Sequence, residues 1–107
     1  MKAYWVYVTT ATADEARAIG KALVAERLAA CVNILDPMQS FYWWEGKIEE
    51  GRETVLIAKT RQARLEDVIA RVKALHSYSV PCVVALPIEA GNPDYLRWIL
   101  RETGGAE

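Results

Sequence analysis

Three features of the sequence predict an α+β fold. Short runs rich in aromatic and β-branched residues alternate with segments whose apolar residues recur at helical spacing, and Thr, Asp-Pro, Glu-Gly and Asn-Pro signals punctuate the junctions. Lys2 to Thr10, Lys-Ala-Tyr-Trp-Val-Tyr-Val-Thr-Thr, suits a pleated surface and forms the first strand. Thr12 and Glu15 then form a capping box that starts a helix running to about Arg27, with Ala16, Ile19 and Leu23 as its buried stripe.

Ala30 to Glu49 is a long extended region, interrupted at Asp36-Pro37 because proline cannot donate to a ladder. Glu50-Gly51 is the predicted turn, and Arg52 to Thr60 returns antiparallel, with Glu45-Gly46 as a bulge. A second helix carries Leu65, Val68, Ile69, Val72 and Leu75 at helical spacing, with Asp67 and Arg71 as an i,i+4 pair on its outer face. Pro81 to Pro87 is a short apolar strand of the buried kind. A last helix starts with Asn92 as N-cap and Pro93 at its first position, and stops at Gly104-Gly105. The order β-α-β-β-α-β plus a terminal helix is the split-βαβ, or ferredoxin-like, arrangement: an antiparallel sheet with helices on one face.

The other face should read polar in a monomer, yet Tyr4, Val6 and Val8 alternate with Trp5 and Tyr7, and Val55 and Ile57 with Leu56 and Ala58. Both faces therefore need cover. RNA-recognition domains stack bases on such a face, but they carry a Lys/Arg-Gly-aromatic run on the third strand, where this chain has Thr54-Val55-Leu56-Ile57-Ala58-Lys59. Self-association is the better account. Phe41-Tyr42-Trp43-Trp44 divides between hairpin core and interface.

Composition agrees. The chain has 107 residues, 52% hydrophobic and 25% charged, with a formal net charge of -1, which fits one folded domain spanning residues 1–107. The near-neutral balance argues against a nucleic-acid partner, and no apolar run reaches the roughly 20 residues that cross a bilayer, so no membrane is expected. The amino terminus lacks a cleavable apolar region, and Cys31 and Cys82 have no paired spacing, so the expected address is cytoplasmic and reducing.

Cys31, Cys82, Met38 and His76 are the soft or borderline donors, suited to copper or zinc rather than magnesium or calcium. They form no C-x-x-C or H-x-x-x-H motif, which disfavours a structural zinc site from one chain and leaves a site shared between subunits or weak surface binding. Cys31 alone reads as a small buried hydrophobe. His76 ends the second helix, where capping by a protonated ring competes with a ligand-binding role in the loop holding Tyr78 and Pro81. Lys59 either snorkels from its strand or, with Glu49 or Tyr78 nearby, holds an anion or pairs across an interface. A Cys–His nucleophilic pair lacks an evident orienting group, and no phosphate-cradling glycine loop is present. An enzyme is not expected, nor is an organic cofactor.

Glu26-Arg27-Leu28-Ala29-Ala30-Cys31-Val32-Asn33-Ile34 and Tyr42-Trp43-Trp44-Glu45-Gly46-Lys47-Ile48-Glu49, followed by Lys59-Thr60, His76, Tyr78, Val80-Pro81 and Tyr95-Leu96-Arg97-Trp98-Ile99, cover nearly the whole chain in order. Together they resemble the CutA family, the divalent-cation-tolerance proteins. The resemblance implies a homotrimer similar in architecture to the PII signalling proteins, with sheets packed inward and clefts between subunits, and a role in tolerance of copper or other divalent cations. It makes Cys31 and His76 metal candidates and Trp44, Glu49, Lys59 and Tyr78 cleft residues. Where the family often reads His-Pro-Tyr-Glu-Val-Pro-Glu, this chain has His76-Ser77-Tyr78-Ser79-Val80-Pro81-Cys82. Two carboxylates are missing, and Cys82 would replace a hard oxygen by soft sulfur, adding a third metal candidate and shifting preference toward copper. A PII-like regulatory or scaffold trimer binding a small anion or partner protein at its cleft is the alternative.

Overall fold

The computed structural model describes residues 2–104. Its elements are β1 (Ala3–Thr10), α1 (Ala13–Ala25), β2 (Cys31–Trp44), β3 (Lys47–Arg61), α2 (Leu65–Leu75, after a short 3-10 turn), β4 (Val83–Pro87) and α3 (Pro93–Glu102). The four strands form one sheet in the order β2-β3-β1-β4, and every neighbouring pair is antiparallel. The α+β, ferredoxin-like expectation is met.

Register divides the residues between the faces. Val6 pairs with Ala58 and Val8 with Leu56, and all four turn toward α1 and α2, joining Ala16, Ile19, Leu23, Val68 and Val72 in the buried core. Thr12 caps α1, its hydroxyl accepting the Glu15 N–H at 3.1 Å, while Glu15 Oε1 accepts the Ala11 N–H at 3.0 Å. Helix α1 ends two residues before the expected Arg27, which takes the left-handed conformation that commonly closes a helix. Gly20 is the tight point: a Cβ there would stand 2.9 Å from Val32 Cγ2 and 3.3 Å from Leu56 Cδ1.

The opposite face carries Trp5, Tyr7 and Thr9 on β1, Glu53, Val55, Ile57 and Lys59 on β3, and Cys31, Asn33 and Leu35 on β2. Helix α3 crosses the Lys59 end of this face, where Lys59 Nζ reaches Tyr95 Oη at 3.1 Å and Arg61 donates to the Leu100 carbonyl. Beyond it Trp5, Leu35, Val84 and Leu86 remain exposed. The two-sided apolar pattern of the strands is thus only partly covered within one chain.

Several local expectations are corrected. The hairpin turn lies at Glu45-Gly46, not Glu50-Gly51: Trp44 pairs with Lys47, and Glu45 and Gly46 both have positive φ, as a two-residue turn matched to strand twist requires. Gly51 is a strand residue opposite Ser40. Asp36-Pro37 does not interrupt β2 but forms a register shift between Leu35 and Met38, which lets the strand absorb a residue without a donor. Arg71 pairs with Glu26 of α1 rather than Asp67, because the guanidinium takes both carboxylate oxygens, at 2.9–3.2 Å. Leu75 is exposed at the end of α2, and β4 is an exposed edge strand rather than a buried one, since the sheet order leaves it a neighbour on one side only. Asn92 caps α3 with Pro93 at its first position as expected; the helix ends at Glu102, Gly104 has a positive φ, and the Gly105 part of the expected stop lies outside the described residues.

Replacing Gly20 by valine should destabilise the fold by about 1–3 kcal/mol, because the added carbons enter a filled α1–β2–β3 contact. Urea unfolding followed by circular dichroism should show a lower midpoint at unchanged slope.

Candidate functional site

Strands β2 and β3 outrun β1, whose last pairing is Thr10 with Thr54, and continue as a two-stranded arm carrying Phe41 to Trp44. Ser40, Tyr42 and Trp44 share the arm face that bears Glu53, and Tyr42 stands directly opposite Glu49. At the base of the arm the loop after α2 folds over this face. Thr9, Tyr42, Trp44, Glu53, Tyr78, Ser79, Val80 and Cys82 line a cavity of about 320 Å³ there, open to solvent on one side.

Buried polar contacts fix the loop. The His76 side chain is fully buried. Its Nδ1 accepts the Tyr78 N–H at 3.1 Å, so Nε2 carries the proton that goes to the Thr9 carbonyl at 2.7 Å. The ring therefore ties β1 to the loop in a neutral tautomer, a bridge that differs from both roles weighed for it in the sequence, capping of α2 and ligand contact. Tyr78 lies against it, ring centroids 4.7 Å apart. The Ser77 N–H donates to Glu15 Oε2 at 2.7 Å, so one carboxylate serves both the start of α1 and the loop. Burial of Glu15 favours its neutral form, but hydrogen bonds from Ser77 and the Ala11 amide outweigh it and hold the carboxyl below its ordinary 4.5.

Glu53 is the chemical centre of the cavity. Its Oε2 accepts the Tyr78 hydroxyl at 2.9 Å and its Oε1 the Ser40 hydroxyl at 2.6 Å. Burial, reinforced by the Glu53 carboxylate, pushes the Tyr78 phenol well above its ordinary value and keeps it a hydrogen-bond donor.

The structure divides the residues anticipated from sequence between two places. Trp44, Tyr78 and Cys82 line the cavity, and His76 anchors its loop. Cys31 and Lys59 pair across the β2–β3 ladder opposite Trp5, whereas the Cys82 carbonyl accepts the Thr9 N–H. Those positions on β1 lie four residues, roughly 13 Å, apart. Cys31 Sγ is 3.6 Å from Tyr95 Oη. Lys59 sits 5.3 Å from the Tyr95 ring centroid; its hydrogen bond to the Tyr95 hydroxyl, opposed by burial and aided by Cys31, raises its pKa. Cys31, His76 and Cys82 thus do not converge in one chain, and among the described residues no group of three His, Cys, Asp or Glu side chains is arranged to hold a metal. Glu49 is on the arm face but outside the cavity lining. Glu53 and Tyr42 were missed by sequence reasoning; the clue to Glu53 was an acidic residue in phase with the apolar Val55 and Ile57 of the second sheet face.

The family model of the CutA1 divalent ion tolerance protein matches residues 4–102. The chain belongs to the CutA family. It is 48% identical over 95 residues to the divalent-cation tolerance protein CutA of Archaeoglobus fulgidus, covering 89% of this chain and 92% of that protein. It is 48% identical over 99 residues to the CutA of Thermus thermophilus, covering 92% and 96%. The solved structure of the Archaeoglobus protein, described as periplasmic, superposes with a TM-score of 0.92 at 45% identity, covering 95% of this chain and 99% of that one. The single-chain fold is thus shared with that CutA structure.

The anchored loop makes two predictions. Because Glu15 has a lowered pKa in the fold, its contribution to stability is complete above the ordinary carboxyl value and is lost as pH falls through the folded value. Glu15→Gln should therefore be less stable than the parent at neutral pH, with the gap closing in acid, as read by urea midpoints across the pH range. Tyr78→Phe, which removes one donor to Glu53, should cost about 1 kcal/mol in the same measurement.

Proposed function

We propose that this chain acts as a homotrimer in divalent-cation tolerance, binding copper or another divalent ion in cation homeostasis. Membership of the CutA family carries the cation role. Assembly is supported by the apolar side chains left exposed on the second sheet face, Trp5 at 43% and Leu35 at 58%, and by an aromatic arm whose Trp43 is 72% exposed. Since the soft donors do not converge within one chain, the reading is that metal is bound between subunits, with Cys31, Cys82 and His76 as the candidate donors. His76 would have to give up its Thr9 or Tyr78 contact to take part, which makes the two thiols the readier ligands. Trp44, Glu49, Lys59 and Tyr78 are read as cleft residues of the assembled protein.

The chain is read as one domain that binds rather than catalyses, with no nucleic-acid or membrane partner and a cytoplasmic address. Among the described residues no helix is long and apolar enough to cross a membrane. The Archaeoglobus structure is described as periplasmic and a rice relative as chloroplastic, so the compartment is best tested directly by fractionation.

The cavity around Glu53 supports a second reading, a PII-like regulatory or scaffold trimer that binds a small molecule or partner protein at its cleft. A carboxylate among described lining residues that include no Lys, Arg or His argues against the small anion anticipated from sequence.

Sedimentation at micromolar concentration should give three times the 12.0 kDa chain mass. A stable monomer would refute the assembly. Calorimetric titration with Cu(I), Cu(II) and Zn(II) should show binding that Cys31→Ser weakens about tenfold or more, while His76→Ala chiefly lowers stability. Affinity unchanged in Cys31→Ser would remove Cys31 from the metal role.

A further inference from the structure

We propose that the cavity at the base of the arm is a binding site for a small organic cation of the quaternary ammonium type. The inference takes up the second reading above and rests on it, naming the ligand class; Cys82, a candidate metal donor, lines the same cavity. Three aromatic side chains, Tyr42, Trp44 and Tyr78, line the cavity, and Glu53 is the one carboxylate among its described lining residues, which include no Lys, Arg or His. Aromatic rings attract a cation through their quadrupoles while tolerating its methyl groups, and a carboxylate supplies the counter-charge. The strand register extends the same polarity, since Glu49 stands across from Tyr42 on this face; Lys47, across from Trp44, lies at the tip of the arm.

The donor set does not suit an inorganic ion. A hard divalent cation gathers six or more oxygen ligands, commonly several carboxylates. Here both oxygens of the single carboxylate already accept hydroxyl hydrogens, from Tyr78 and Ser40. A soft ion would find one thiol, Cys82. By contrast a bulky ammonium needs no hydrogen bond from the site and loses less hydration than a compact inorganic ion, so an aromatic pocket with one carboxylate can recognise it by shape and charge. The volume, about 320 Å³, accommodates such a ligand. The walls are also held in place before binding. Tyr78 is fixed by Glu53, by its N–H bond to His76 and by the His76 ring, and Glu53 by Ser40.

Choline and its neutral carbon isostere, in which the quaternary nitrogen is replaced by carbon, are to be titrated into the assembled protein by calorimetry and tryptophan fluorescence. Choline should bind and change the tryptophan emission, with the isostere at least about tenfold weaker. Trp44→Leu and Glu53→Gln should each weaken choline several-fold, and Cys31→Ser should leave it unchanged. Sedimentation of each variant verifies that assembly is intact, and the isostere comparison on the unmodified protein decides the question if a variant fails to fold. Equal affinity for choline and isostere would overturn the cation inference while keeping a ligand pocket. Binding of neither would overturn the inference alone; the second reading falls only if a thermal-shift screen of common metabolites and a pull-down for a partner protein are both negative.

Discussion

Everything in the structure hangs on the pairing of β1 with β3. Val6 and Val8 face α1 and α2 only because they stand opposite Ala58 and Leu56, and the same register places Thr9, Val55 and Glu53 on the other side. A slip of one residue would exchange the two faces of β1, burying Trp5 and Tyr7 under the helices and expelling the valines. With strong apolar demand on both sides, hydrophobicity alone discriminates weakly between the registers. Size decides: the helix face closes over small and medium side chains, with Gly20 of α1 leaving no space beside Val32 and Leu56.

From that register the site follows by extension. β3 continues past the end of β1, so Glu53 marks where a four-stranded sheet narrows to two strands and a hollow opens beside them. The loop after α2 fills part of the hollow, and it is held by polar groups rather than apolar packing: His76 to Thr9, Ser77 to Glu15, Tyr78 to Glu53. Buried polar bonds of this kind cost much when broken singly, which makes the loop position definite and its side chains rigid. The Cys31–Lys59–Tyr95 cluster at the far end is a separate environment, with α3 rather than the loop as its cover. Between them the face carries the exposed Leu35 and Val84 beside the partly buried Tyr7 and Ile57.

Much of this was legible from residue order. Thr12 with Glu15, Asn92 with Pro93, and the spacing of Ile19, Leu23, Val68 and Val72 each act locally, so the helices and their buried stripes could be read directly. The hairpin turn was misplaced because Glu45-Gly46 and Glu50-Gly51 are the same dipeptide to any local rule; the pairing of twelve residues on each side, not turn chemistry, selects the first. The Arg71–Glu26 pair was invisible for a similar reason, since 45 residues separate its members. Within the site, the family motifs brought Trp44, Tyr78, His76 and Cys82 to notice, but nothing local distinguished Glu53 from Glu49 or Glu50.

Residue order alone therefore settled the secondary elements, their sequence and hence the topology, because capping, periodicity and strand propensity are forces between near neighbours. It also revealed that the sheet is apolar on both sides. Which residues meet was another matter. That His76 turns inward to Thr9, that Glu53 rather than Glu49 receives Tyr78, and that Cys31 stands apart from Cys82 all depend on strand register and on the crossing of α3, long-range geometry that no local preference encodes.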